Sequence, residues 1–182
     1  SPDAGRLAIQ GSERVLVRPR GVRWLPEASE PGAFRGAASE LEISLPVWAL
    51  PRDKQITEAY LLLHRKEGPA FGQATVAVSL RSRLPTERRA DGDASWLDRG
   101  APVRVDALSS PWVRLDLLPI LRTTSLDSAP ILVVRAKDVE GEGMAFYVQT
   151  LSDVSASEGE SSQEWSPALE LYLTEGRVAE AI

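Results

Sequence analysis

The segment that decides the fold is Trp112-Val-Arg-Leu-Asp-Leu-Leu-Pro-Ile-Leu-Arg122. Over residues 113–117 apolar and charged side chains alternate, which is the period of a half-buried β-strand. The apolar positions are Val113, Leu115 and Leu117, and the charged positions between them are Arg114 and Asp116. Pro119 then favours a single helical turn over residues 118–122, because proline suits the first turn of a helix. A strand that runs directly into a short helical turn points to a β-sandwich.

Strand-like runs separated by Gly, Pro, Ser and Asp recur along the rest of the chain, as they do in β-sandwiches and barrels. Residues 40–45 alternate most regularly, with Leu41, Ile43 and Leu45 predicted to face inward. Residues 56–66 are apolar on both faces around their middle, so we expect a strand in the interior of a sheet. The remaining predicted strands are residues 14–18, 22–25, 73–82, 102–107, 112–117, 130–137, 143–151 and 167–174.

The chain has 182 residues, enough for one substantial domain, and too few helical segments to connect parallel strands. We therefore predict an all-β fold, a single antiparallel β-sandwich over residues 11–175 with one short helical turn at residues 118–122. Residues 1–10 are predicted to be a flexible N-terminal segment, and residues 176–182 a C-terminal tail.

Five segments carry a family resemblance. Residues 41–51 read L-E-I-S-L-P-V-W-A-L-P, and residues 56–65 read I-T-E-A-Y-L-L-L-H-R. Residues 112–121, W-V-R-L-D-L-L-P-I-L, follow the order W-x-x-F-D-V-T-x-x-V, with Leu118 in place of the threonine. Residues 143–150 read G-M-A-F-Y-V-Q-T, and residues 166–172 read S-P-A-L-E-L-Y, with Ser166 in place of an arginine. In this order, over about residues 10–175, the chain resembles bacterial DNRLRE-type modules.

This resemblance implies a jelly-roll β-sandwich of the kind found in secreted and cell-surface proteins, some of which are carbohydrate-binding modules. It also implies that Trp112 belongs to the core. The W-x-x-F-D-V-T pattern occurs in the propeptides of TGF-β-type growth factors as well, which look similar in fold. The chain shows no cystine-knot domain, so the bacterial module is the better match.

Composition excludes several classes of function. With no cysteine, the chain can form neither disulfides nor thiolate metal sites. The net charge is −5, and the arginines are scattered apart from a group at positions 81, 83, 88 and 89, so we expect no nucleic-acid binding. No apolar run is long enough to span a membrane.

The polar start Ser1-Pro-Asp-Ala-Gly5 resembles an exposed linker. We expect an extracytoplasmic protein (cell-surface, periplasmic or secreted), with a lipid anchor upstream of Ser1 as one hypothesis.

We predict that the protein is not an enzyme. His64 is the sole histidine, at the end of an apolar run, and no G-x-S-x-G motif marks a nucleophile. A single histidine without cysteine does not make a zinc site. Paired carboxylates are the remaining candidates for catalysis, but they lie in Gly- and Ser-rich loops where nothing suggests the burial that a catalytic acid needs. These pairs are Asp91 and Asp93, Glu140 and Glu142, and Glu158 and Glu160.

Calcium is the one metal that the sequence favours. The predicted polar loop over residues 83–100 contains Asp91, Asp93 and Asp98, and oxygen ligands on a flexible loop suit Ca²⁺. The spacing is not that of an EF-hand, and a solvated hydrophilic loop explains the same residues. We otherwise expect no cofactor.

Exposed tryptophans are the leading candidates for a ligand site, because the apolar face of a sugar ring stacks on flat aromatic rings. Trp24, Trp48 and Trp96 are predicted in loops or at strand ends, where they either bind a ligand or cap the sandwich. The alternative surface is a sheet face that carries Arg114 and Asp116, which either contact a ligand or form a solvated ion pair.

The sequence thus favours a non-catalytic binding module of a secreted or cell-surface protein, with polysaccharide as the first candidate ligand. The alternatives are a protein–protein interaction or scaffold domain of a bacterial envelope lipoprotein or adhesin, and a propeptide-like shielding domain. The partner is accordingly a polysaccharide or another cell-surface protein.

Overall fold

The computed structural model describes residues 12–35, 39–44, 53–67, 72–81, 96–97, 101–123, 131–148 and 165–175. The predicted flexible N-terminal segment and the predicted C-terminal tail lie outside these residues.

The described chain consists of short β-strands and one helix. In chain order the elements are β1 (Glu13–Val17), β2 (Gly21–Leu25), β3 (Ala33–Phe34), β4 (Glu40–Ser44), β5 (Lys54–His64), β6 (Gln73–Arg81), β7 (Trp96–Leu97), β8 (Val103–Asp106), β9 (Trp112–Asp116), α1 (Leu118–Thr123), β10 (Ile131–Glu140), β11 (Met144–Ala145) and β12 (Ala168–Glu175).

Two antiparallel sheets form the body of the fold. Strands β1, β12, β5 and β9 lie side by side in this order in a four-stranded sheet. In the second sheet the order is β2, β4, β10 and β6, with β7 and β8 both paired to β6. Along the chain the strand pairs enclose one another: β1–β12 encloses β4–β10, which encloses β5–β9, which encloses β6–β8. Successive pairs alternate between the two sheets, and this is the topology of a jelly roll. The predicted fold class, an all-β antiparallel sandwich of jelly-roll type, is confirmed.

One apolar core fills the space between the two sheets. Alternation along each strand supplies it, because successive side chains point to opposite faces. Each fully buried leucine or isoleucine contributes about 1.5–3 kcal/mol by leaving water. The largest side chains that are completely buried include Leu41 and Ile43 from β4, Leu61 and Leu63 from β5, Leu115 from β9, Leu132 from β10 and Leu169 from β12.

The segment that decided the fold prediction behaves as expected from residue 113 onward. Leu115 and Leu117 are completely buried, whereas Asp116 is exposed. The Asp116 carboxylate accepts a hydrogen bond from the backbone N–H of Leu118 at 3.0 Å, which stabilises the start of α1. The helical turn extends over Leu118–Thr123. No helix in the described ranges is long and apolar enough to cross a membrane.

Two predicted segments differ from the structure. The strand predicted at residues 143–151 is reduced to β11. Phe146, which follows it, donates its N–H to Gly32 O at 2.9 Å and forms an isolated bridge with Arg65 at the end of β5. The loop predicted at residues 83–100 contains β7, which extends the second sheet by pairing with β6. Residues 149–151 and the rest of that loop lie outside the described residues.

Candidate functional site

One face of the four-stranded sheet points away from the core and carries charged and aromatic side chains; we call it the outer face. In β5, Leu61 and Leu63 enter the core, so the residues between and beside them lie on the opposite face. Neighbouring strands align these residues in rows. Along β5 and β9 the rows are His64 opposite Trp112, Leu62 opposite Arg114, and Tyr60 opposite Asp116, and β12 adds Ala168, Glu170 and Tyr172.

Four rings meet at one end of the outer face and form an aromatic cluster. Its members are His64, Trp112, Tyr147 and Trp165. His64 is central: its imidazole stacks on Trp165, with ring centroids 4.9 Å apart and planes 20° apart. Trp112 packs edge-on against the imidazole at 4.7 Å, and Tyr147 does so at 5.4 Å. Edge-on and stacked contacts at these distances are the arrangements that aromatic rings prefer.

Backbone hydrogen bonds fix the cluster. Tyr147 N–H donates to His64 O at 2.9 Å, and Lys66 N–H donates to Ala145 O at 2.8 Å, so the segment after β11 is tied to the end of β5. The His64 Nδ1 atom lies 3.0 Å from Arg65 O, and because a carbonyl only accepts, Nδ1 is the donor. In the neutral ring, Nε2 is then a free acceptor. The Lys66 ammonium lies 5.4 Å from the centroid of Tyr147.

Trp112 is the most accessible ring of the cluster. It is 39% exposed, so the expectation that it belongs to the core is wrong. The physical reason is its register: Trp112 has the same parity in β9 as Arg114 and Asp116, and these residues point outward. The core positions of this strand are Val113 and Leu115 instead.

A charged group lies next to the aromatic cluster, and we call it the arginine bridge. Glu170, which is 1% exposed, receives a hydrogen bond from Arg14 Nε at 2.7 Å, while Arg114 Nη2 lies 2.8 Å from its other oxygen. Both arginines remain about half exposed. The hydrogen bond to Glu170 raises the pKa of the Arg14 guanidinium above its usual value. The bridge joins β1, β12 and β9 across the outer face and leaves arginine N–H groups at the surface.

Tyr60 lies beneath the arginine bridge. The Arg114 guanidinium stands 5.2 Å from the centroid of its ring, and the ring of Tyr172 packs edge-on against it at 6.5 Å. The Tyr60 hydroxyl donates to Glu58 Oε1 at 3.0 Å. Burial, followed by this hydrogen bond, raises the pKa of Tyr60.

The tryptophans predicted from the sequence are not the ones that form the site. Trp24 is only 3% exposed; it packs edge-on against Phe34 at 5.1 Å and donates from Nε1 to Ser29 Oγ at 2.8 Å. The prediction of Trp24 as an exposed ligand contact is therefore wrong. Trp96 begins β7. Trp48 lies outside the described residues.

Arg114 and Asp116 do lie on an exposed sheet face, but each has a different partner from the predicted one. Arg114 pairs with Glu170, two strands away. Asp116 accepts from the backbone at the start of α1. Among the described contacts no ion pair joins the two residues, so the alternative of a solvated ion pair between them is wrong.

The candidate calcium ligands Asp91, Asp93 and Asp98 lie outside the described residues. Within the described part of the chain, no group of three or more His, Asp or Glu side chains is arranged to hold a metal ion.

The carboxylate pairs considered for catalysis are only partly described. Glu140 is the last residue of β10 and Glu142 lies in the turn that leads to β11, and both are exposed. Glu142 accepts from Arg35 at 3.2 Å, and Glu140 accepts from the Gln73 amide. Both carboxylates thus lie at the surface, whereas a catalytic acid needs burial. Glu158 and Glu160 lie outside the described residues.

Sequence reasoning missed the aromatic cluster and the buried Glu170. For Trp112 and His64 the alternation of side chains along a strand was the signal that could have found them. Each lies two residues from an outward-facing position in its own strand and therefore faces outward as well. No local signal marks Tyr147 or Trp165, because long-range pairing brings them to His64.

When the chain is compared with models of known protein families and with curated proteins, neither comparison gives a match.

Proposed function

We propose that this protein is a non-catalytic binding module of a secreted or cell-surface protein, and that it binds carbohydrate on the outer face of the four-stranded sheet. The observation that carries the proposal is the position of Trp112. Its indole is 39% exposed at the edge of a rigid group of rings, beside arginine N–H donors. An exposed ring next to hydrogen-bond donors is what a pyranose requires, since its C–H face is apolar and its hydroxyls are polar.

The packing of the site supports this function. Trp112 is held by His64, and His64 is held by Trp165, so the indole is already ordered before a ligand arrives. Order in the free protein reduces the entropy cost of binding. Arg114 lies two residues from Trp112 on the same face, and 46% of its side chain remains accessible. Sugar hydroxyls accept hydrogen bonds from such donors.

The resemblance to DNRLRE-type modules supports the cellular setting. We propose an extracytoplasmic protein on the basis of that resemblance. The jelly-roll topology agrees with this assignment, although the same fold serves many unrelated functions.

A panel of soluble polysaccharides, assayed by affinity electrophoresis and calorimetry, tests the proposal. Trp112→Ala should weaken binding at least about tenfold, and Arg114→Gln should weaken it several-fold. Two controls match these variants. Leu108→Ala removes an apolar side chain that is 95% exposed outside the cluster, and Arg23→Gln removes an exposed arginine of the second sheet. Both controls should bind as the parent does. If no polysaccharide binds, or if Trp112→Ala binds as tightly as the parent, the proposal fails.

A protein partner is the second candidate, and the composition of the same face favours it. Tryptophan, tyrosine and arginine are the residues most enriched at the energetic centres of protein interfaces, and the outer face presents Trp112, Trp165, Tyr147, Arg14 and Arg114. Capture of a defined envelope protein that Trp112→Ala abolishes, together with an empty polysaccharide panel, would establish this alternative.

A further inference from the structure

The guanidinium of Arg65 is a buried cation for which the described structure supplies no counter-charge. Arg65 directly follows β5, and its backbone N–H donates to Pro111 O at 2.7 Å. The residue is only 6% exposed. Strand alternation turns its side chain away from His64 and the aromatic cluster, towards the turn that connects β8 to β9.

The contacts of this side chain are few. Arg65 Nη2 donates to Ser109 O at 2.7 Å, and the buried Nε has no hydrogen-bond partner. No carboxylate of the described residues lies within ion-pair distance of it. The nearby Asp106 carboxylate instead accepts from Leu108 N–H at 2.9 Å, within the β8–β9 turn.

This combination is energetically unfavourable. Arginine remains charged in proteins, so it cannot lose its proton to avoid the cost of burial. One neutral carbonyl satisfies a single N–H and leaves the charge uncompensated. Arg14 and Arg114 show the opposite combination, since both are half exposed and both are paired with Glu170. A buried arginine with unused donors is thus most stable when an anion occupies its fork.

We propose that Arg65 anchors an oxyanion-binding site at this end of the sandwich, between the end of β5 and the β8–β9 turn. The ligand class is an oxyanion whose negative charge is shared over two or more oxygens, namely a carboxylate, a sulfate or a phosphate, which accepts hydrogen bonds from the unused donors of the planar guanidinium. The site is separate from the outer face and does not depend on carbohydrate binding there.

Thermal unfolding in sodium acetate, sulfate or phosphate, against sodium chloride at matched ionic strength and pH, tests the proposal. At an anion concentration ten times its Kd, the melting temperature of the parent should rise by about 3–5 °C above the chloride value. A rise in acetate alone identifies a carboxylate ligand, and a rise in sulfate and phosphate identifies a tetrahedral one.

Arg65→Met is the decisive variant, because it keeps the apolar stem and removes the charge. It should lose the anion-specific rise and, in chloride, should be at least as stable as the parent. Arg104→Gln, which changes an exposed arginine of β8, should keep the full rise and so corrects for general salt effects. A rise that persists in Arg65→Met would overturn the proposal.

Calorimetric titration of the parent with each anion provides a measurement that requires no variant. Binding with a stoichiometry of one is expected, and Arg65→Lys, which keeps the charge but lacks the fork, should bind at least about tenfold more weakly. The absence of binding heat and of any anion-specific stabilisation in the parent would also overturn the proposal.

Discussion

Replacement of Glu170 tests the arginine bridge and, with it, the architecture of the outer face. Glu170→Gln removes the charge and keeps the shape of a side chain that is 1% exposed. The hydrogen bond from Arg14 is charge-assisted, and such bonds contribute about 1.5–3 kcal/mol. The contact with Arg114 is an ion pair, which contributes about 1 kcal/mol or less. Both arginines are about half exposed, and solvent recovers part of this loss, so the expected destabilisation is about 2–3 kcal/mol.

The two arginines should behave differently when they are replaced singly and together. Arg14→Met should cost more than Arg114→Met, since only Arg14 makes an aligned hydrogen bond to Glu170. Each single variant leaves Glu170 with one cation. The double variant leaves a buried carboxylate without a counter-charge, which costs about 3–5 kcal/mol. The double variant should therefore lose more stability than the sum of the single variants.

Urea unfolding monitored by circular dichroism and by tryptophan fluorescence measures these changes, with coincident transitions as the check on two-state behaviour. Arg104→Gln, in β8 of the second sheet, is a matched control, because this exposed arginine contacts the uncharged Gln73 amide; it should change stability by less than about 0.5 kcal/mol. A Glu170→Gln protein as stable as the parent, or arginine variants with strictly additive effects, would refute the bridge as a coupled unit.

Three further predictions concern packing, backbone conformation and ionisation. Trp24→Ala should destabilise the protein by about 3–5 kcal/mol in urea unfolding and Trp112→Ala by about 1–2 kcal/mol, since only the first ring is buried; equal losses would contradict their placement. Gly143→Ala should cost about 2–4 kcal/mol, because φ is +68° and the added methyl group meets a backbone carbonyl, whereas Gly141→Ala, with φ of +62° and more space, should cost about 1–2 kcal/mol. Burial raises the pKa of Tyr60, so absorbance titration should show a phenol that ionises above the ordinary value of about 10 and is absent from Tyr60→Phe. Because the unfolded chain then loses this proton at a lower pH than the folded protein does, the free energy of unfolding should fall as the pH rises past about 10.

The sequence patterns of β4, β5 and β9 were sufficient to predict the fold class. Apolar residues recur at every second position in these segments, as expected for half-buried or interior strands. The same parity, applied strictly to β9, places Trp112 outward. The assignment of Trp112 to the core came from the family resemblance, and it was the resemblance that misled.

The rest of the candidate site lies beyond local sequence patterns. Tyr147 reaches His64 only because the chain leaves β11 to bridge the end of β5. Glu170 looks like an ordinary outward residue between two leucines, and its burial depends on arginines that arrive from β1 and β9. Trp24 lies near the end of a short predicted strand, where the sequence alone left it as either a ligand contact or a cap of the sandwich, and the ring of Phe34 packs against it. Each outcome depends on strand order and register, which a single sequence does not specify.

The central claim is that the outer face around Trp112 binds the ligand, and the indole N–H resonances of the tryptophans test it most directly. In ¹⁵N-labelled protein titrated with a bound polysaccharide or partner, the resonances of Trp112 and its neighbour Trp165 should shift. The resonance of Trp24, which is buried and hydrogen-bonded to Ser29, should remain in place. A ligand that shifts the Trp48 or Trp96 resonance and leaves those of Trp112 and Trp165 unchanged would contradict the account.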